Sequence, residues 1–295
     1  MLRAPLESPG RQLRAMFEGG TVVLPGAYDA LSALAAHKAG AQAVYMSGGA
    51  MTNAQLGVPD IALMTLTEMS QTVARACQVA PVPIVSDADT GFGAEWNVVR
   101  TVIEFERAGC AGIHIEDQVS PKRCGHLDGK DVVATEEMCA KVRAAVSAKR
   151  DPSFLLIART DAAAVEGVEK AVERAKAYVG AGADAVFPEG LASEAEFEQF
   201  RKALPGTPLL ANMTEFGKTP LIPASRFGEM GYQMVIFPVT ALRVALKALD
   251  GFYKNLLETG TQAAWMETMA TREELYERVG YEEFTAKGGD WADPK

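Results

Sequence analysis

Residues 83–117 read PIVSDADTGFGAEWNVVRTVIEFERAGCAGIHIED, and their pattern decides the fold. A short apolar run, Pro83–Asp89, ends in two acids. After a glycine-rich connection, Trp96, Val99, Val102, Ile103 and Glu106 fall near helical spacing and predict a helix over Glu95–Ala108. Ala108-Gly109-Cys110 stops that helix, glycine supplying the left-handed turn. A second apolar run, Gly112–Asp117, again ends in acids. Strands buried on both faces of a parallel sheet read in this near-continuous way.

The same unit recurs on either side. Further apolar runs lie at Val22–Tyr28, Ala43–Ser47, Phe154–Thr160, Ala185–Glu189, Pro208–Met213 and Met234–Thr240. Ala39-Gly40-Ala41 and Ala181-Gly182-Ala183 repeat the helix stop, while Ser193 with Glu196 and Thr271 with Glu274 read as capping boxes. Eight units without a charged linker predict one α/β domain over residues 1–295, a (β/α)8 TIM-like barrel. A doubly wound open sheet is the alternative. Residues 241–295 form a C-terminal helical extension, with a helix from Ala241 and helical stretches at Thr261–Ala270 and Thr271–Val279. A plain barrel needs the first of these alone, so the surplus is expected to pack on a neighbouring subunit.

Composition narrows the function. The net charge of −9 argues against nucleic-acid binding, although a local cluster of Arg, Lys and Mg²⁺ can still receive an anion. The 4 cysteines show no CxxC pair, which fits a reducing compartment. The first residues lack the apolar stretch of a signal peptide, and no apolar run reaches the roughly eighteen residues of a membrane span. The expectation is a cytoplasmic protein without membrane or nucleic-acid partners.

Barrel enzymes carry their sites at the carboxyl ends of the strands. Those ends read Ser47-Gly48-Gly49, Asp87-Ala88-Asp89, Glu116-Asp117, Arg159-Thr160-Asp161, Glu189, Asn212-Met213-Thr214 and, just past the eighth, Arg243. Residues two apart on a strand share a face, so Asp87 and Asp89 are expected to aim at one spot and to need a cation between them. Oxygen ligation suits Mg²⁺, with Glu116 holding one of its waters. The competing reading has one aspartate capping the helix near Glu95. Gln118–Lys130 is the longest strand-to-helix connection and is expected to act as a lid. It sets Cys124 beside Lys122, Arg123 and His126, an environment that makes a thiol acidic. Cys77, Cys110 and Cys139 read as core, and His37 and His114 as structural. No strand ends in the lysine of a Schiff-base aldolase, and the turns after the last two strands lack the glycines of a phosphate site.

The motifs together resemble the isocitrate lyase and phosphoenolpyruvate mutase superfamily: Ser47-Gly-Gly, Gly57-Val-Pro-Asp60, Asp87-Ala-Asp-Thr-Gly-Phe-Gly93, Ile115-Glu-Asp-Gln118, Lys122-Arg-Cys-Gly-His126, Ala158-Arg-Thr-Asp161 and Ala211-Asn-Met-Thr-Glu-Phe-Gly217. The likeness runs over nearly the whole chain and is closest to the bacterial 2-methylisocitrate lyase branch. It implies a homotetramer with swapped C-terminal helices and Mg²⁺-dependent cleavage of 2-methylisocitrate to pyruvate and succinate. It further implies Mg²⁺ held by Asp89 directly and Asp87 through water, and a carboxylate bound by Ser47, Gly48 and Gly49. Asp60, Cys124, Gly125, Arg159, Glu189, Asn212, Met213, Thr214, Arg243 and Arg272 match substrate-contacting positions.

The stretch Ala50-Met-Thr-Asn-Ala-Gln55 is bulkier than that branch usually carries, and Met213 replaces a β-branched residue. The related 2,3-dimethylmalate lyase is therefore the first alternative. A phosphonopyruvate mutase or hydrolase, which has no need of an acidic lid thiol, and a non-catalytic binding protein come after it. In the retro-aldol reaction Tyr45 is the candidate base, Arg159 with Lys122 or His126 neutralises developing charge, and Cys124 protonates the carbanion. Cys124→Ser should accordingly lower kcat by at least about a hundredfold in a steady-state assay with metal binding intact, since general acid catalysis contributes roughly two to four orders of magnitude.

Overall fold

All eight apolar runs form strands in the computed structural model, which describes residues 6–123 and 129–292. They are β1 Val22–Ala27, β2 Val44–Met46, β3 Ile84–Asp87, β4 Gly112–Glu116, β5 Leu155–Thr160, β6 Ala185–Pro188, β7 Leu210–Asn212 and β8 Met234–Phe237. Neighbours pair in parallel in the order β6-β5-β4-β3-β2-β1-β8-β7, and a parallel bridge from Val186 to Leu209 brings β6 to β7. The ring therefore follows sequence order and nearly closes. A doubly wound sheet reverses its strand order at a switch point, and no reversal occurs here.

Alternation along the strands sorts the core into layers. Val22, Leu24, Tyr45, Val85, Leu155, Ile157, Phe187, Leu210, Met234 and Ile236 fill the barrel interior, with Leu13 of the helix Pro9–Met16 packed among them. The intervening residues face the helices: Val44, Met46, Ile84, Ile113 and Ile115 on one side, Val186, Ala211, Met213 and Val235 on the other. This double burial is why the strands read as unbroken apolar runs.

The helix Glu95–Ala108 has the bounds the sequence predicts, and Gly109 ends it at φ 91°. Ser193 caps Glu194–Ala203 through Glu196 N–H, whereas the Glu196 carboxylate accepts from Ala192 N–H. Thr271 and Glu274 form the full reciprocal box. The extension departs from expectation at Thr261–Ala270, which is a 3₁₀ segment, Ala263–Thr268, rather than an α-helix. The hydroxyls of Thr259 and Thr261 accept from the N–H groups of Thr261 and Ala263, drawing those donors into local turns. A further helix, Tyr281–Ala292, which the sequence reading did not anticipate, follows a left-handed Gly280. Among the described residues no helix is long and apolar enough to cross a membrane.

Gly112 shows how tightly β4 and β5 meet. A Cβ there would lie 2.4 Å from the Leu155 carbonyl oxygen and 2.6 Å from Leu155 Cβ. Gly112→Ala should cost about 1–3 kcal/mol of stability, seen as a lower urea midpoint at unchanged slope.

Candidate active site

The interior columns turn polar at the carboxyl ends of the strands. Two residues beyond Tyr45, Val85, His114, Ile157, Phe187 and Leu210 stand Ser47, Asp87, Glu116, Arg159, Glu189 and Asn212. Each belongs to the inward face by the same period of two. Ser47, Asp87, Arg159, Glu189 and Asn212 line a cleft of about 470 Å³ with Tyr45, Gly49, Asp60, Lys122, Arg123, Phe187, Thr214 and Ile236.

Strand register assembles its acidic wall. Asp87 lies opposite His114, and Glu116 opposite Arg159. Ligand atoms of Asp87, His114 and Glu116 all fall within 4.8 Å of one another, a group able to hold a metal ion. Asp89 arrives differently. β3 ends at Asp87, and Asp89 sits in a left-handed turn at φ 47°. Its N–H donates to Asp87 Oδ1 at 2.9 Å, while its carboxylate lies 2.9 Å from Lys122 Nζ. Lys122 also donates to Asp60 Oδ1 at 2.5 Å. Ala94 begins the next helix without any side-chain cap, so neither aspartate is spent on that task.

Ser47 is the N-cap of the helix Gly48–Leu56, its hydroxyl accepting from Ala50 N–H. A Cβ on Gly48 would lie 2.6 Å from Asp87 Oδ2, and one on Gly49 2.9 Å from Asp60 Oδ2. Both glycines are therefore required by carboxylates that press against the start of a helix, where partial positive charge favours anions. Arg159 forks onto Asp161 through Nε and Nη2 at 2.9 and 3.1 Å, and its Nη1 lies 3.4 Å from Glu189. Asn212 Nδ2 donates to Glu189 Oε2 at 3.0 Å. Arg243, at the rim, donates to Glu215 at 2.6 Å and reaches Thr214 Oγ1 at 3.5 Å.

Burial sets the electrostatics. It pushes Glu116 well above the ordinary carboxyl range and raises Asp89 to about 6, where burial, joined by the charges of Asp87 and Asp60, prevails over the attraction of Lys122. Burial opposes ionisation of Asp87 too, but the nearby cations and the Asp89 N–H bring it below the usual value. It lowers His114 to about 4, so the imidazole is neutral near pH 7 and Lys122 and Arg159 are the cations that matter to Asp87. Burial disfavours the cations as well, yet the surrounding carboxylates hold Lys122 and Arg159 well above their ordinary values.

Both Glu116 oxygens and Asp89 Oδ1 are buried without a directed hydrogen bond, although Arg159 and Lys122 lie within ion-pair distance. Buried oxygens left in that state fit a hard divalent cation.

The phosphoenolpyruvate phosphomutase family matches residues 13–257. The chain belongs to that family. It is 49% identical to a 2-methylisocitrate lyase of Aeropyrum pernix over 98% of this chain and 93% of that one. A probable 2-methylisocitrate lyase of Corynebacterium glutamicum is 52% identical over 88% of this chain and 85% of its own. Among solved structures, a 2,3-dimethylmalate lyase superposes with a TM-score of 0.90 at 37% identity, covering 96% of this chain and 95% of that one.

Within this member of the family, some expected site residues are not in the cleft. Met213 packs behind β7 in the outer core with Ile222 and Phe227, so a substrate contact by its side chain is corrected: alternation turns Asn212 and Thr214 inward and Met213 outward. Tyr45 is buried with its hydroxyl 2.7 Å from His114 Nε2, and burial with nearby carboxylates pushes its pKa well up, which disfavours the phenolate that a tyrosine base must start from. Arg272 is exposed on the helix Arg272–Val279 and outside the cleft. Cys124, Gly125 and His126 lie outside the described residues. Cys77 and Cys110 are buried free thiols, and Cys139 is half-buried.

The sequence pattern marks His114 as structural and gives Asp161, Lys130 and Phe187 no role in the site. His114 could have been found two residues before Glu116, and Phe187 two before Glu189, on the same inward faces. Lys130 and Asp161 meet only through the fold.

Gly48→Ala should displace the Asp87 carboxylate. If Asp87 helps to hold a divalent cation, calorimetric titration with Mg²⁺ should record at least about tenfold weaker binding at an intact fold, because outer interactions that orient metal ligands are worth roughly 10–100-fold.

Proposed function

We propose that this chain is a Mg²⁺-dependent carbon–carbon lyase that cleaves 2-methylisocitrate to pyruvate and succinate. The observation that carries the reading is a buried acidic set against the cleft: Asp87 lines it with Lys122 and Arg159, and Asp89 and Glu116, whose oxygens are short of hydrogen bonds, lie within ion-pair distance of those two cations. The names of the two lyase relatives supply the substrate.

In this reading Asp87, Asp89 and Glu116 hold the ion directly or through water. Bound Mg²⁺ would supply Lewis-acid chemistry, lowering the pKa of a chelated hydroxyl. Ser47 and the N–H groups at the start of its helix receive the carboxylate of the pyruvate half. The hydroxyl gives its proton to solvent or to an ionised carboxylate of the site, the ketone forms as the carbon–carbon bond breaks, and the electron pair passes to the carbon of the succinate half. Arg159 stabilises the growing carboxylate charge, and Cys124 returns a proton to that carbon. Asn212, Thr214 and Arg243 suit the far carboxylate.

The same reading places the protein in a homotetramer. The helix Thr240–Thr259 buries none of its residues and exposes Val244, Leu246, Tyr253 and Leu257, which supports packing of the extension on a neighbouring subunit.

Cleavage of 2,3-dimethylmalate is the second reading, favoured by the structural likeness to a lyase of that name. Purified protein with Mg²⁺ should release pyruvate from 2-methylisocitrate at least about tenfold faster, by kcat/KM, than from 2,3-dimethylmalate, a gap of roughly 1.4 kcal/mol in transition-state binding. The reverse order would select the second reading. EDTA should abolish turnover and Mg²⁺ restore it; full activity after exhaustive chelation would remove the metal from the reaction.

A further inference from the structure

Three buried carboxylates share the Arg159 guanidinium. Asp161 takes two of its N–H groups in a fork, Glu116 Oε2 lies 3.3 Å from Nε, and Glu189 Oε2 lies 3.4 Å from Nη1. Phe187 packs its ring 5.0 Å from Cζ. Burial holds Glu116 toward its neutral form, yet one cation still cannot balance the remaining carboxylates away from water. Lys130, far along the connection after β4, brings a second: Nζ donates to Asp161 Oδ1 at 2.9 Å, with both side chains buried. Asp161 is fixed from behind as well. Its N–H donates to Asp117 Oδ1 at 2.9 Å, and Asp117 Oδ2 accepts from Thr160 Oγ1 and Tyr178 OH, each at 2.8 Å. Neither Lys130 nor Asp161 lines the cleft, whereas Arg159 does.

We propose that Lys130 and Asp161 are a positioning pair: Lys130 compensates the buried charge of Asp161, and Asp161 holds the Arg159 guanidinium at the angle that turns Nη1 toward Glu189 and the cleft. The energetics agree. Burial opposes ionisation of Asp161, yet Arg159 and Lys130 together bring it below its ordinary range, so it accepts both prongs as an anion. A guanidinium held by a fork keeps its plane, and a point-charge lysine supports it without competing for that plane. The pair acts through Arg159 and touches no reacting atom.

The test joins a crystal structure to steady-state kinetics, and the kinetic half rests on the proposed lyase reading. Lys130→Met should lower kcat by about a hundredfold, the scale of an ångström-level misplacement, with KM changed less than threefold. In its crystal structure the guanidinium should leave the fork. Lys130→Arg, which restores the cation, should recover at least tenfold of that loss. Removing Lys130 alone strands a buried carboxylate, so the double variant Lys130→Met/Asp161→Asn, which removes both charges, keeps the test open should the single variant not fold. It should fold with the same low kcat. Parent-level kcat with an unmoved guanidinium in either variant overturns the pair. If the parent enzyme cleaves neither substrate, the lyase reading fails, and the position of the guanidinium in the variant crystals still decides the inference.

Discussion

The charge buried at the ends of β3 and β4 constrains the rest of the structure. Asp87, Asp89 and Glu116 are almost wholly withdrawn from water. Each buried ion costs several kcal/mol unless opposite charge and hydrogen bonds offset it. The offsets come from elsewhere in the chain: Lys122 from the connection after β4, Arg159 from the end of β5, and helix-start N–H groups after β2. No single βα unit could bury these acids alone. The site is thus a product of several neighbouring units packed side by side.

The barrel supplies the geometry at little conformational cost. Parallel register fixes which residues face each other across neighbouring strands, and alternation fixes which way they point. The apolar residues that fill the interior and the polar residues that form the site are successive members of the same columns. Phe187 joins the two: it meets the His114 ring in a T-shaped pair with centroids 5.3 Å apart, and its face carries Arg159. Rigid strands suit this work, since a site built on them is held more closely than one built on loops.

This also explains what could be read from the sequence. Strands buried on both faces leave unbroken apolar runs, so all eight were legible, and so were the inward acids at their ends. Met213 entered the site by resemblance alone, and the parity of β7 turns its side chain into the outer core. Asp89 was assigned to the face of Asp87 by strand parity, but β3 has already ended and the left-handed turn sends its carboxylate toward Lys122. Lys130 with Asp161 left no signal, because their partnership depends on where a long connection returns. The extension was least legible. Its helices are largely exposed in the single chain, so burial imposes no clear pattern, and threonine hydroxyls were enough to turn an expected α-helix into a 3₁₀ segment.

The floor of the cleft shows how neutral groups are kept neutral there. Tyr45 OH and His114 Nε2 are 2.7 Å apart, Asp87 Oδ1 is 3.6 Å from the same nitrogen, and His114 Nδ1 is buried without a partner. If the phenol donated to Nε2, the imidazole proton would sit on Nδ1 and be stranded in the core. A buried donor without an acceptor costs roughly 1–3 kcal/mol. With the proton on Nε2, the imidazole donates to the phenol oxygen and Nδ1 keeps only a lone pair, which is the less costly orphan. That tautomer frees the phenol proton to face the cleft that Tyr45 lines. Tyr45 then offers the cleft a hydrogen-bond donor, a role that its raised pKa supports and that a base could not share.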